Sequence, residues 1–189
     1  VTNPPIDSLR ETSVMSLETC LGVERNLFDE SSLHAGRLVL DSPVLSRQVF
    51  EKLISYNKKN FPNDKLSLHY DKTIDLEEAI NTISDRAVRS VKKGNVLIIL
   101  SDKNLNSNQL TIPAAMAVGA VHHRLIKEGI RCDCNVIIET ASTWNSHHFA
   151  VLLGYGCSAI YPYLSFSIIE NMISRNGLDN NVYGNHVAN

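Results

Sequence analysis

Asp102 and Glu139 stand at the ends of two aliphatic runs, 96–100 and 136–138, and a pair of carboxyl groups at such positions is the usual equipment for general acid and base chemistry. Ser101 and Lys103 flank the first, Thr140 follows the second, and a third short apolar run ends at Tyr161, Pro162 and Tyr163. In parallel α/β sheets ligands lie beyond the carboxyl ends of the strands, so these are the positions where a reaction would be built. A strand-end carboxylate also caps the next helix or binds loop amides. Without a known geometry for the pair, that plainer use is the favoured reading and no residue is assigned a catalytic role.

Two histidine pairs, His122-His123 and His147-His148, invite a metal or proton-transfer reading. Adjacent residues on a helix point about 100° apart, so one of each pair faces the core and the other the surface, which disfavours joint ligation. A buried histidine bonded to a backbone carbonyl is the expectation. Cys132-x-Cys134 is spaced more tightly than paired zinc ligands, and no G-x-S-x-G elbow or basic partner activates a nucleophile. Gly154-Tyr155-Gly156 follows a helical pattern rather than a strand and lacks the third glycine of a dinucleotide loop. Neither a cofactor-binding nor a metal-binding residue is therefore assigned.

The elements that would position these residues alternate in type. Asp41-Ser42-Pro43 predicts a helix start, followed by an apolar stripe of Val44, Leu45, Val49, Phe50, Leu53 and Ile54. Leu66, Leu68 and Tyr70 alternate as in a half-buried strand. Asp75-x-x-Glu78 opens a helix of strong apolar spacing that Lys92-Lys93-Gly94 closes. The runs 96–100 and 135–139 have no alternation and predict strands covered on both faces, and Pro113 begins a helix between them that ends at Gly129. A short helix over 147–153, a strand over 159–161 and a helix over 166–173 complete the pattern. Repeated βα units predict an α/β fold with a parallel sheet. Four visible strands are too few for an eight-stranded barrel, so an open sheet or rudimentary partial barrel is expected.

Residues 1–189 fit a single domain. Within it, 1–40 reads as an extended segment wrapping the core, 41–175 as the βα core and 176–189, rich in Asn and Gly, as a loop or linker. A net charge of −2 and a pI near 6.4 supply no positive field for nucleic acid. No apolar run approaches the ~18 residues of a membrane span. Four cysteines are too few for a disulfide framework, which points to a reducing, cytoplasmic setting. Val1 in place of an initiator Met suggests a piece of a longer polypeptide.

Four strings carry a family resemblance: VTNPPIDSLRE at 1–11 with VMSLET at 14–19, IPAAMAVGAVHH at 112–123, HHFAVLLGYG at 147–156, and YPY at 161–163. In this order they resemble the central, connecting domain of the glutamate synthase large subunit. The resemblance implies a flavin-free, rudimentary version of a neighbouring barrel. It also implies a parent enzyme, an oxidoreductase of nitrogen metabolism, that makes glutamate from glutamine and 2-oxoglutarate with FMN and an iron–sulfur cluster. The signature residues for those groups are absent here: no amino-terminal cysteine nucleophile, no cluster cysteines and no flavin-domain sequence. The implied partners are the amidotransferase and FMN domains of the same polypeptide, in the cytoplasm, or the plastid stroma in a plant or alga.

The resemblance also places Thr2, Asn3 and Ile6 near the path by which ammonia passes between two active sites. Hydroxyl and amide groups would bind ammonia without charging it; equally, Asn3-Pro4-Pro5 is simply a stiff turn. Ser8 stands where the family commonly has proline, which loosens that turn. Two other readings stay open: an independent flavin- or phosphate-binding half-barrel with its ligand near Ser101 and Glu139, and a partner-binding module whose open sheet edges self-associate when the rest of the polypeptide is missing.

Overall fold

All five residues of Leu97–Ser101 and all five of Asn135–Glu139 are buried, as unbroken aliphatic runs require. The computed structural model that shows this describes residues 15–56 and 61–175. In chain order the elements are β1 (Thr19–Leu21), β2 (Leu38–Leu40), α1 (Arg47–Ser55), β3 (Asn63–Ser67), β4 (His69–Asp71), α2 (Leu76–Lys92), β5 (Leu97–Ser101), β6 (Gln109–Thr111), α3 (Ala114–Lys127), β7 (Asn135–Glu139), α4 (Ser146–Gly154), β8 (Ala159–Tyr161) and α5 (Tyr163–Arg175). The central sheet has the order β3-β5-β7-β8, with every pair parallel. It is an open α/β sheet and does not close into a barrel.

Alternate side chains of the strands feed two separate cores. Ile98, Leu100, Val136, Ile138 and Ile160 meet α2, α3 and α4 through Ile83, Ala87, Val118, Val121 and Leu152. Leu97, Ile99, Ile137, Ala159 and Tyr161 meet Phe50 and Leu53 of α1, Leu21 of the amino-terminal arm, and the partly buried Tyr163 and Phe166 of α5. Helix α2 forms as its sequence requires. The Asp75 carboxylate accepts from the Glu77 amide, Glu77 and Glu78 occupy the positive first turn, Arg89 and Lys92 the negative last one, and Gly94 follows at φ +94°.

Four features differ from the sequence expectation, and the first is the strand read through Leu66, Leu68 and Tyr70, which divides between β3 of the central sheet and β4, paired antiparallel with β6. The first helix begins at Arg47 under a Ser46 cap, not at Asp41. Pro43 and Leu45 are instead extended beside β8: the Leu45 amide donates to the Ile160 carbonyl at 2.8 Å, and the Ile160 amide to the Pro43 carbonyl at 2.7 Å. Pairing with an open edge outcompetes a helical start at a proline that lacks its own N–H and suits either structure. The last helix begins at Tyr163 immediately after Pro162, three residues before the expected Phe166. The arm is not wholly irregular, since β1 and β2 pair antiparallel.

The arm is fastened to the sheet by main-chain bonds. The Gly22 amide donates to the Asn135 side-chain oxygen at 2.6 Å, and the Glu24 amide donates to the Cys132 carbonyl at 2.8 Å. Gly22 sits at φ +139° with a Cβ position only 3.2 Å from Arg37, so a side chain there would strain the backbone and press apart the two halves of the arm.

Candidate functional site at the carboxyl ends of the strands

Ladder register places Ser67, Ser101, Glu139 and Tyr161 in one row across the sheet, at the last residue of each parallel strand. Beyond β7 the chain leaves toward α4 on one face; beyond β8 it leaves into α5, which packs on the other. Adjacent strands whose continuations diverge in this way open the crevice where α/β proteins bind ligands. The residues singled out from the sequence are thus brought together at the expected end of the sheet.

Glu139 is 1% exposed and yet carries a carboxylate. Burying such a charge costs several kcal/mol unless it is paired and hydrogen-bonded. Its partners supply both: the Lys65 ammonium lies in direct contact, Lys103 Nζ is 3.8 Å away, and the Ser101 hydroxyl donates at 2.6 Å. The Lys103 ammonium also stands 5.4 Å from the centre of the Tyr163 ring. Lys65 was not anticipated from the sequence. The signal available was its place two residues before the end of β3, on the same side of the sheet as Ile99 and Ile137.

Asp102 binds different partners. It accepts from the Thr140 hydroxyl at 2.5 Å and from the Ala141 amide at 3.1 Å, while its own amide donates to the Glu139 carbonyl at 3.2 Å. This is the loop-amide role favoured for a strand-end acid. Burial, and secondarily the Asp102 carboxylate, raise the Tyr163 phenol well above its ordinary range, so it stays a neutral hydroxyl at any working pH. Within the row Ser101 bonds to Glu139, whereas the Ser67 hydroxyl accepts from the His69 amide.

Of the histidine pairs, His122 and His148 are half-buried and His123 and His147 exposed, the division expected from helical geometry. The bonding differs from expectation. His122 Nδ1 accepts from Arg131 Nε at 3.0 Å, and the same guanidinium donates to the Cys134 and Gly156 carbonyls at 2.8 Å each. Burial, then Arg131, then His123 lower the affinity of the His122 ring for a proton. A cationic neighbour, rather than a carbonyl, thus holds the neutral ring. Carbonyl bonding is found instead at His69, whose Nε2 lies 3.0 Å from the Asp102 oxygen.

Gly156, at φ +106°, closes α4 and has no phosphate-loop geometry; a Cβ there would lie 2.3 Å from His122 Nδ1. Burial pushes the Cys134 thiol to about 11 and the Cys157 thiol to about 12, so both remain protonated and are poor metal ligands. Among the described residues no group of three or more His, Cys, Asp or Glu gathers as a metal set, and no helix is long and apolar enough to cross a membrane. The ammonia-path residues Thr2, Asn3 and Ile6 lie outside the described residues.

A family model described as the glutamate synthase central domain matches residues 1–188. The chain is 41% identical over 172 residues to the ferredoxin-dependent glutamate synthase of Pyropia yezoensis, covering 88% of this chain and 11% of that protein. It is 37% identical over 179 residues to the glutamate synthase [NADPH] large chain of Bacillus subtilis (strain 168), covering 95% and 12%. To the glutamate synthase [NADH] of Saccharomyces cerevisiae it is 36% identical over 187 residues, covering 96% and 9%. The chain thus spans about a tenth of the length of these curated relatives.

Proposed function

Since the chain belongs to the glutamate synthase central-domain family, we propose that it is the connecting domain of a larger polypeptide that makes glutamate from glutamine and 2-oxoglutarate. In this reading it holds a glutamine-hydrolysing domain and an FMN domain at a fixed separation. Thr2, Asn3 and Ile6 contribute to the path that carries ammonia between them. FMN and the iron–sulfur cluster belong to the rest of the polypeptide, which works in the cytoplasm or, in a plant or alga, in the plastid stroma. The relatives named above carry ferredoxin, NADPH and NADH in their names at similar identity to this chain.

The family match over residues 1–188 carries the proposal. The strand-end row supports the scaffold role, because its hydroxyls, carboxylates and lysines already answer one another's charges and hydrogen bonds. An ammonia path must also exclude water and acids, so that ammonia is neither lost nor protonated. That requirement frames the test.

In the intact polypeptide, Thr2→Val combined with Asn3→Leu is expected to raise the ammonia released to solvent per glutamate formed, with glutamine hydrolysis itself retained. An unchanged ratio overturns the path assignment. Absence of any glutamate formation from glutamine and 2-oxoglutarate by the unmodified polypeptide, given a competent electron donor, overturns the parent activity.

A further inference from the structure

Helix α5 carries apolar side chains on both of its sides, with Asn171 and Arg175 next to the outer ones. Its inner side presents Tyr163 and Phe166 to the core, buries Ile173, and is tied down where Glu170 accepts from Arg47 at 3.1 Å. Its outer side carries Leu164, Ile168 and Met172, four residues apart and therefore in one line along the helix, with Ile169 beside them. They are 39%, 46%, 57% and 42% exposed respectively. The contrast with α2 is direct, for α2 turns Glu77, Glu78, Asp85, Arg86 and Arg89 outward. A surface helix is usually apolar on one stripe and polar on the opposite face, and the second apolar line of α5 departs from that pattern. Glu170 and Arg175 are its only charged side chains, and the first is already paired.

We propose that the outer face of α5 is a docking surface for an apolar wall of a neighbouring domain in the same polypeptide. The inference rests on the reading that this chain is a segment of a larger glutamate synthase. Some nine-tenths of the length of the named relatives lies outside the region this chain matches, so such a wall has ample chain to come from. The size of the patch argues for a tethered occupant. Four side chains exposed to this extent offer a few hundred Å², against the ~800 Å² per partner of a stable free association. A second copy binding here alone would be held weakly. A domain linked to the same chain meets the patch at millimolar effective concentration and needs much less area. Residues 176–189 are a poor cover, since Leu178, Val182, Tyr183 and Val187 are scattered among Asn and Gly.

The test uses the intact polypeptide carrying Met172→Cys or, as reference, Asn81→Cys on the exposed side of α2. Maleimide labelling is followed by peptide-resolved mass spectrometry, which separates these sites from the natural thiols. Met172→Cys is expected to label at least ten-fold more slowly than Asn81→Cys at every protein concentration, the two rates converging in denaturant. Equal native rates overturn the proposal. Protection that fades on dilution, in step with dissociation of an oligomer, also overturns it by assigning the face to a second copy. Assaying glutamate formation on the same preparations keeps the two readings apart: an active polypeptide with equal rates loses only the docking surface, and an inactive one with slow labelling loses only the proposed activity.

Discussion

The two faces of the central sheet are covered by different kinds of structure. Against one lie α2, α3 and α4, with α2 turning carboxylates and guanidinium groups outward. Cross-links such as Lys92 to Glu128 at 2.8 Å and Arg124 to Asp85 at 2.9 Å tie neighbouring exteriors together. Against the other lie α1, the amino-terminal arm and α5, which leave Val39, Tyr56, Ile168 and Met172 in solvent. The difference is sharpest between α2 and α5, since α3 of the first layer also leaves Met116 and Ile126 half in solvent.

The largest effect that sharpens this comparison is on the α2–α4 face. Ile98 is 0% exposed among Ala, Val, Leu and Ile side chains, so Ile98→Ala leaves a cavity that nothing exposed can fill. A loss of about 3–4 kcal/mol in urea denaturation is expected, within the range for large-to-alanine changes in cores.

An intermediate effect comes from the clasp at the α3–α4 junction. His122 loses proton affinity on folding, through burial first and then Arg131 and His123. The unfolded ring, with its ordinary value near 6.5, therefore holds more protons than the folded one in the window below 6.5. Stability contributed by the neutral ring is fully present above about pH 7 and is lost as pH falls through the lowered folded value. The urea midpoint should fall between pH 7.5 and 5.5, and His122→Gln should flatten that part of the profile relative to the unmodified chain. An identical slope in the variant removes the clasp from the account. The smallest effect is expected from Ile168→Ser on α5, which should shift the stability of the 189-residue chain by less than about 0.5 kcal/mol because the side chain is already half in water. A cost approaching that of Ile98→Ala would erase the distinction between the faces.

The two buried strands β5 and β7 and helix α2 were legible in the sequence because each is defined by its own residues: unbroken aliphatic runs, or a cap, a period and a glycine. The Ser46 start of α1 was not. Pro43 satisfies the rules for a first helical turn and for an extended edge alike, and the choice is made by Ile160, more than a hundred residues away. The β1–β2 pair was missed for a related reason, as three-residue strands carry too little alternation to register. At the site, the positions of Ser101, Asp102, Glu139, Thr140 and Tyr163 followed from the sheet rule, but their partners did not. Lys65 and Arg131 act through distances that only the fold creates.

The seating of the arm has a mechanical consequence. Gly22 is bonded to Asn135 at the amino end of β7, whereas α5 departs from β8 at the carboxyl end of the sheet. Tension applied between arm and α5 runs along the strands and loads the β7–β8 ladder in shear, so several hydrogen bonds must yield together. The loaded span is the ladder of Ile137–Glu139 against Ala159–Tyr161, about 10 Å long.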